Sequence, residues 1–212
     1  MVAGSKLTAC QCYAYLPDLA PSAAMPNYLG QCRWFTRGWS LQELIAPKDV
    51  LFLDANWQIR GTKGELAGYL AKITGIDMDI LLHKKELKKV CVAQKMYWAS
   101  NKETSRAESM TYCLLGIFGV RMPIKYGEGG KMAFRRLQHV IIQSKGDTSI
   151  FAWRLPATMG DLRHTSDPAS PPNNVHRYSG MLAESPREFS HCRGMEENVG
   201  CTMKSDMEAR TN

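Results

Sequence analysis

The chain has 212 residues, of which 44% are hydrophobic and 22% are charged, and its formal net charge is +7. This composition is typical of a globular protein with a buried core and excludes a disordered or fibrous chain. The longest apolar run, residues 113–120, is far too short to cross a bilayer, and polar residues interrupt the N-terminus before a signal peptide could form. We therefore expect a cytoplasmic protein without a membrane segment.

A strand, a helix and a second strand are predicted in the N-terminal part. The aromatic and apolar residues alternate over 10–16, which predicts a strand. Residues 40–46 predict a short helix that Pro47 ends, because proline cannot continue the hydrogen-bond ladder. The apolar run 50–54 predicts another strand. This order is typical of an α/β unit with a parallel sheet.

Helical patterns dominate beyond residue 60. Residues 62–74 predict a helix, with Gly75 at the left-handed position that follows its end. Apolar residues at helical spacing predict two further helices, one that begins at Ser105 and one over 131–143. Residues 148–153 predict a short strand.

Three of the predicted helices begin with Ser or Thr followed three residues later by Glu. In such a capping box the hydroxyl and the carboxylate satisfy otherwise unpaired backbone N–H groups. The three pairs are Ser40 with Glu43, Thr62 with Glu65, and Ser105 with Glu108. From the pattern alone, helix capping is the favoured role of Glu43, and catalysis is the less favoured one.

The cysteines and the positive charge indicate no particular ligand. An odd number of cysteines argues against a disulfide framework, and Cys10, Cys12 and Cys32 lack a second pair at zinc-site spacing. We expect buried free thiols, no metal and no resident cofactor. Because the basic residues are dispersed and form no recognisable binding module, we do not expect nucleic acid as a partner.

The glycine-rich run YGEGG at 126–130 precedes a predicted helix. Such a loop could contact a phosphate at the helix N-terminus. It lacks the spacing and the preceding strand of a phosphate-binding loop, and Glu128 would repel an anion. We interpret the run as a turn that sets the direction of the following helix.

Four long motifs occur in a fixed order along the chain. They are CRWFTRGWSLQELIAPKDVLFLD, GTKGELAGYLAKITGI, WASNKETSRAESMTYCLLGIFGVRMPIKYGEGGKMAFRRLQ and DTSIFAW. Together they resemble fungal heterokaryon-incompatibility (HET) domain proteins of the vegetative-incompatibility type. Ser109 stands where the family usually has a carboxylate, and the N-terminal blocks of the family have no counterpart upstream of Leu7. We therefore expect a truncated form of such a protein.

This resemblance implies nonself recognition, in which the domain triggers growth arrest or cell death when incompatible hyphae fuse. It also implies a fold similar to Toll/interleukin-1-receptor (TIR) domains, here an α/β fold whose partial parallel sheet lacks its N-terminal strands. On this basis we divide the chain into three parts. They are the C-terminal part of a HET domain (1–60), a mainly helical HET-associated region (61–154) and a loop-rich, partly disordered tail (155–212).

Some TIR domains cleave NAD, and in plant TIR domains the catalytic glutamate lies on a helix that follows a strand. The segment RGWSLQEL resembles that element, with Glu43 matching the glutamate and Trp39 matching a tryptophan. The resemblance implies that Glu43 is catalytic, since a carboxylate stabilises the positive charge that develops on the ribose. Trp39 would line the NAD site and Arg37 would bind a phosphate. Their alternative roles are a core aromatic and a surface cation.

Two hypotheses of different classes remain open. In the first, a complete domain hydrolyses NAD through Glu43 as part of an incompatibility response. In the second, the chain is a non-enzymatic module of the same pathway, in which Glu43 only caps its helix. That module would signal by self-association or by binding other signalling domains.

Overall fold

The computed structural model describes residues 12–154 and 181–195. Three short strands form one sheet in the order β1 (Cys12–Tyr15), β2 (Val50–Leu53) and β3 (Ile59–Thr62). β1 pairs with β2 in parallel, and β3 pairs with β2 antiparallel. The predicted α/β unit with a parallel strand pair is confirmed, whereas β3 was not predicted.

The helix α1 (Ser40–Ile45) lies in the connection between the two parallel strands, which cannot be joined by a tight hairpin. Ala14 of β1 lies opposite Phe52 of β2, and both residues are buried. Because alternate residues of a strand point to opposite faces, this register directs one face of the sheet into the core. α1 ends at Ile45, just before Pro47, as predicted.

A buried carboxylate forms the turn between β2 and β3. Asp54 Oδ1 accepts the backbone N–H groups of Asn56 and Gln58 at 2.9 and 3.0 Å. Its other oxygen, Oδ2, lies 3.0 Å from Nη1 of Arg60. These bonds reverse the chain and bring Ile59–Thr62 alongside β2. The apolar pattern of residues 59–62 does not predict a strand. The hydrogen bonds of Asp54, rather than an apolar run, place this segment beside β2.

Six further helices follow the sheet. They are α2 (Ala67–Thr74), α3 (Met78–Leu81), α4 (Val92–Ala99), α5 (Ala107–Tyr112), α6 (Leu115–Phe118) and α7 (Gly130–Lys145). The helices predicted over 62–74, from Ser105 and over 131–143 correspond to α2, to α5 with α6, and to α7. Short 3-10 helices complete the described chain, at Leu29–Gln31, Arg33–Thr36, Leu87–Lys89, Thr148–Phe151 and Pro186–Phe189.

The strand predicted over 148–153 is wrong, since Thr148–Phe151 is a 3-10 helix. Asp147 Oδ1 accepts the N–H of Ser149 at 2.9 Å, which caps this helix. Asp147 Oδ2 accepts the N–H of Val92 at 2.7 Å. The same carboxylate therefore starts the 3-10 helix and docks it on the N-terminus of α4, away from any strand.

None of the three predicted boxes caps the start of a helix, although Thr62 and Glu65 form the reciprocal bonds of such a box in the turn between β3 and α2, whose N-cap is Leu66. The N–H of Thr62 donates to Glu65 Oε2 at 2.8 Å, and the N–H of Glu65 donates to Thr62 Oγ1 at 3.2 Å. The box at Ser40 is wrong, because this residue lies inside α1 and its hydroxyl donates to the carbonyl of Arg37 at 2.7 Å. The box at Ser105 is also wrong, since Arg106 occupies the N-cap of α5 and its side chain makes no capping bond.

The helix α4 lies at the centre of a single hydrophobic cluster that reaches from Ala14 to Cys192. Seven of its eight residues are buried. The 3-10 helix Pro186–Phe189 packs on α4, and Phe189 is fully buried there. The described part of the predicted tail therefore shares one core with the helices, while the proposed boundaries at residues 60 and 154 stay predictions. Within the described ranges, no helix has the length and apolarity needed to span a membrane.

Gly75, at the end of α2, lies in close contact with Tyr97 of α4. Its φ is +70°, and a Cβ atom there would lie 2.5 Å from Cε1 of Tyr97. We expect Gly75→Ala to lower the free energy of unfolding by about 1–3 kcal/mol or more, because it adds left-handed strain to a clash. Denaturant unfolding followed by circular dichroism measures this change.

The matched control is Gly68→Ala in α2, where a Cβ atom would meet nothing within 4 Å. Alanine is the better helix former, so this variant should be as stable as the wild type or more stable by up to about 1 kcal/mol. Equal destabilisation by the two substitutions would contradict the proposed packing of Gly75.

Candidate functional site

A cleft of about 620 Å³ lies at the carboxyl end of β1, beside the N-terminus of α1. Ligand sites of α/β proteins commonly occupy this position, and the volume is in their usual range. We call it the Trp39 cleft. Its lining comes from the end of β1, the turn before α1 and the turn before α5: Tyr15, Pro17, Asp18, Arg33, Trp34, Thr36, Arg37, Gly38, Trp39, Glu103, Thr104 and Ser105.

Backbone hydrogen bonds join the two turns that form the walls of the cleft. The N–H of Glu103 donates to the carbonyl of Thr36 at 2.7 Å, and the N–H of Gly38 donates to the carbonyl of Glu103 at 2.8 Å. Beneath them the buried ammonium group of Lys102 donates to the carbonyl of Phe35. Burial lowers the pKa of Lys102 to about 8. The cleft is therefore preformed by contacts between residues far apart in sequence.

Gly38 is required by this close approach. A Cβ atom at Gly38 would lie 2.6 Å from Thr104 Cγ2 and 3.0 Å from Cys113 Sγ. Any larger residue would push the two walls apart. Burial also raises the pKa of Cys113 to about 12, so this thiol stays neutral and is no nucleophile.

The cleft combines aromatic and cationic groups. The Tyr15 ring stacks on Trp57 with 4.3 Å between ring centroids, which holds its orientation at the end of β1. Asp18 Oδ2 accepts the backbone N–H of Arg33 at 2.6 Å and fixes the start of that turn. The side chains of Arg33 and Arg37 are exposed. Guanidinium groups beside aromatic rings suit a ligand that carries both phosphate and a planar ring.

The structure brings two of the three predicted site residues into this cleft. Arg37 and Trp39 line it, and 39% of Trp39 is exposed. Glu43 is absent from the lining residues in the described part of the chain. Its N–H donates to the carbonyl of Trp39 at 3.2 Å, so the two side chains are neighbours on one side of α1. Glu43 therefore lies one helical turn beyond Trp39.

The exposed carboxylate of Glu43 makes no hydrogen bond or ion pair within residues 12–154 and 181–195. The capping role that the spacing favoured is therefore wrong, because Ser40 lies inside the helix and its hydroxyl donates backward to Arg37. No local pattern indicates Thr104 and Ser105 as lining residues, since a backbone bridge brings them from a distant turn.

The glycine-rich loop is occupied by a carboxylate of the chain itself. Glu108 Oε1 accepts the N–H groups of Gly127 and Gly129 at 2.9 and 3.1 Å. Glu128 forms an ion pair with Arg136 and accepts the hydroxyl of Tyr112 at 3.0 Å. These bonds fix the entry of α7, which confirms the interpretation of the loop as a turn.

The described cysteines are all free, and the predicted burial holds for four of them. These are Cys32, Cys91, Cys113 and Cys192, whereas Cys12 is half-buried, and Cys10 and Cys201 lie outside the described residues. Among residues 12–154 and 181–195, no three His, Cys, Asp or Glu side chains are placed to hold a metal ion.

The chain is similar to the vegetative incompatibility protein HET-E-1 of Podospora anserina, with 37% identity over 181 residues. The aligned region covers 82% of this chain and 12% of that protein. The family described as "Domain of unknown function (DUF8212)" matches residues 132–204. No solved structure matches the chain. The predicted resemblance to a vegetative-incompatibility type of fungal protein is confirmed, while the HET-domain and TIR-like assignments stay predictions.

The buried Glu108 predicts a specific loss of stability in acid. Its own backbone N–H and those of Gly127 and Gly129 hold the pKa of the carboxyl below its usual value of 4.5. A lowered folded-state pKa stabilises the protein above the unfolded-state pKa, and this stabilisation disappears as the pH falls through the folded-state value. We expect the wild type to lose stability from about pH 5 downward.

Glu108→Gln should be less stable than the wild type at pH 7 and should lose less stability below about pH 5. The measurement is urea unfolding at a series of pH values. The exposed Glu86 supplies the control, since Glu86→Gln should leave the pH dependence unchanged. Parallel curves for the wild type and Glu108→Gln would be inconsistent with an ionised Glu108 in the loop.

Proposed function

We propose that the chain acts in fungal nonself recognition as the C-terminal part of a HET domain with its associated segment. The similarity to HET-E-1 over 82% of this chain is the observation that carries the proposal. The chain spans only 12% of that relative, so it represents one portion of such an architecture. In this role it would act in the cytoplasm and promote cell death when incompatible hyphae fuse.

Within this role, the Trp39 cleft would bind NAD as a substrate. Arg37 and Arg33 would contact the pyrophosphate through charge-assisted hydrogen bonds, and Trp39 would pack against one of the planar rings. The position of the cleft at the carboxyl end of a parallel strand supports this assignment, as does its volume of about 620 Å³. A TIR-like arrangement of strand and helix would place the ribose near α1.

Glu43 would stabilise the transition state of the hydrolysis. The bond between the ribose C1′ and the nicotinamide nitrogen breaks, and its electron pair leaves with nicotinamide. The positive charge that develops on the ribose would face the Glu43 carboxylate until water adds to C1′ and loses a proton to solvent. The location of Glu43 beside Trp39 supports this role, and its lack of partners among the described residues leaves the carboxylate available.

A second candidate is a non-enzymatic module that self-associates or binds another signalling domain. The exposure of Trp57 and Ile59, at 65% and 61%, favours this alternative. Both residues belong to the β2–β3 turn region, and Trp57 adjoins the Trp39 cleft through its stacking on Tyr15. Exposed apolar side chains that lie close together are typical of protein contact surfaces.

Nicotinamide release from NAD tests the enzymatic proposal. We expect Glu43→Gln to lower kcat by about 100-fold or more, the usual cost of removing a group that stabilises developing charge. Arg37→Gln should raise KM, since it removes a phosphate contact. Glu86→Gln should retain full activity. The assay should include a longer protein that contains this chain, because an incomplete domain can lose its substrate site.

Absence of nicotinamide release from this chain and from the longer protein, both folded, would rule out hydrolysis and leave the interaction module. Light scattering at increasing protein concentration then tests that module. Trp57→Ser should abolish self-association. The control Met181→Ser, at a residue that is 78% exposed, should not. Monomeric behaviour of the wild type at all concentrations would argue against self-association.

A further inference from the structure

A second cleft, of about 720 Å³, lies between α2, α4 and the turn at residues 193–195. We call it the Arg193 cleft. Three cationic side chains line it from separate parts of the chain: Lys85, Lys89 and Arg193. Asp77 is the acidic residue among the described lining residues. The cleft therefore carries an excess of positive charge.

Part of the remaining lining is formed by buried core residues. Ile76, Cys91 and Trp98 belong to the hydrophobic core and each is at most 2% exposed. The indole N–H of Trp98 donates to the carbonyl of Gly75 at 3.1 Å, which fixes the ring. This part of the surface is already ordered before a ligand binds, which lowers the entropic cost of binding.

The turn that carries Arg193 is anchored on both sides. Cys192 is fully buried before it. After it, the N–H of Met195 donates to Gln94 Oε1 at 3.1 Å, and the Cys91 thiol donates to the carbonyl of Met195 at 3.3 Å. The backbone of Arg193 is thus held against α4, and its guanidinium group extends from a fixed position at the cleft.

The cations of this cleft are incompletely balanced. Lys85 Nζ lies 3.9 Å from Asp77 Oδ2, which is a weak, exposed ion pair. The charged groups of Lys89 and Arg193 make no ion pair or hydrogen bond within residues 12–154 and 181–195. Three cationic side chains and one carboxylate around one concave site favour a ligand with several negative charges.

We propose that the Arg193 cleft binds a small phosphorylated molecule. Arg193 and Lys89 contact its phosphate groups, and Lys85 exchanges Asp77 for the ligand. A planar guanidinium group matches the geometry of two phosphate oxygens. The concave shape and the volume suit a ligand of nucleotide size, whereas a duplex nucleic acid or a membrane needs a broad, accessible surface. This site is separate from the Trp39 cleft, and the proposal does not depend on NAD hydrolysis.

Calorimetric titration of the full chain with inorganic triphosphate tests the proposal. We expect saturable binding that weakens as salt is raised, because the contacts are electrostatic. Arg193→Gln and Lys89→Gln should each raise Kd by about tenfold, the loss of one good charge-assisted contact. Lys84→Gln is the matched control, since this exposed lysine has the same charge but does not line the cleft, and its Kd should change by less than about twofold.

A variant of the Trp39 cleft shows which cleft binds triphosphate. A second anion identifies the class of ligand. Because Arg37→Gln removes a proposed phosphate contact of the Trp39 cleft, the triphosphate binding that remains in this variant should still be weakened about tenfold by Arg193→Gln, which assigns it to the Arg193 cleft. Absence of binding by the folded wild type, or equal weakening by Lys84→Gln and Lys89→Gln, would overturn the proposal. Tighter binding of a hexaglutamate peptide than of triphosphate would also overturn it, in favour of an acidic polypeptide. If Arg193→Gln lowers the melting temperature, Lys89→Gln decides the outcome, because its charged group has no partner among the described residues.

Discussion

The buried ammonium group of Lys102 holds the turn from which α1 begins, and the Trp39 cleft depends on that contact. Burying a charge is unfavourable unless hydrogen bonds replace the lost water. Here the carbonyl of Phe35 supplies one. The next residue, Glu103, forms a backbone bridge with Arg37. The direction of α1, and with it the position of Trp39, follows from a bond between the beginning and the middle of the chain.

Elsewhere in the fold, carboxylates stabilise several turns and helix starts. Asp54 turns the chain between β2 and β3, Asp147 docks a 3-10 helix on α4, and Glu108 fills the glycine-rich loop. In each case the oxygens accept backbone N–H groups, and charge-assisted hydrogen bonds of this kind are stronger than those between neutral groups. The fold therefore compensates for its very short strands and helices with ionised side chains at the points where the chain changes direction.

Local patterns predicted the elements that bury a periodic apolar surface, namely β1, α1, β2, α2 and α7. They failed where a polar side chain decides the structure. The box at Ser40 met the spacing rule, but the preceding turn continues into the helix and leaves no free N-cap. For the candidate site, Arg37 and Trp39 were identifiable because they adjoin a recognisable motif. Residues 103–105 were not, because tertiary contacts, namely the backbone bridge between Arg37 and Glu103 and the Lys102 contact with Phe35, bring them to the cleft.

The packing of residues 181–195 on α4 also shows which part of the chain must be present for this segment to be buried. The family match covers residues 132–204, yet Phe189 and Met195 are held by α4, which lies outside that match. Excised at those boundaries, the matched region would expose the apolar side of Phe189 and leave the N–H and carbonyl of Met195 without their partners. In this chain the matched region is therefore smaller than the packed unit that contains it. A laboratory fragment intended to preserve the region must extend upstream to include α4.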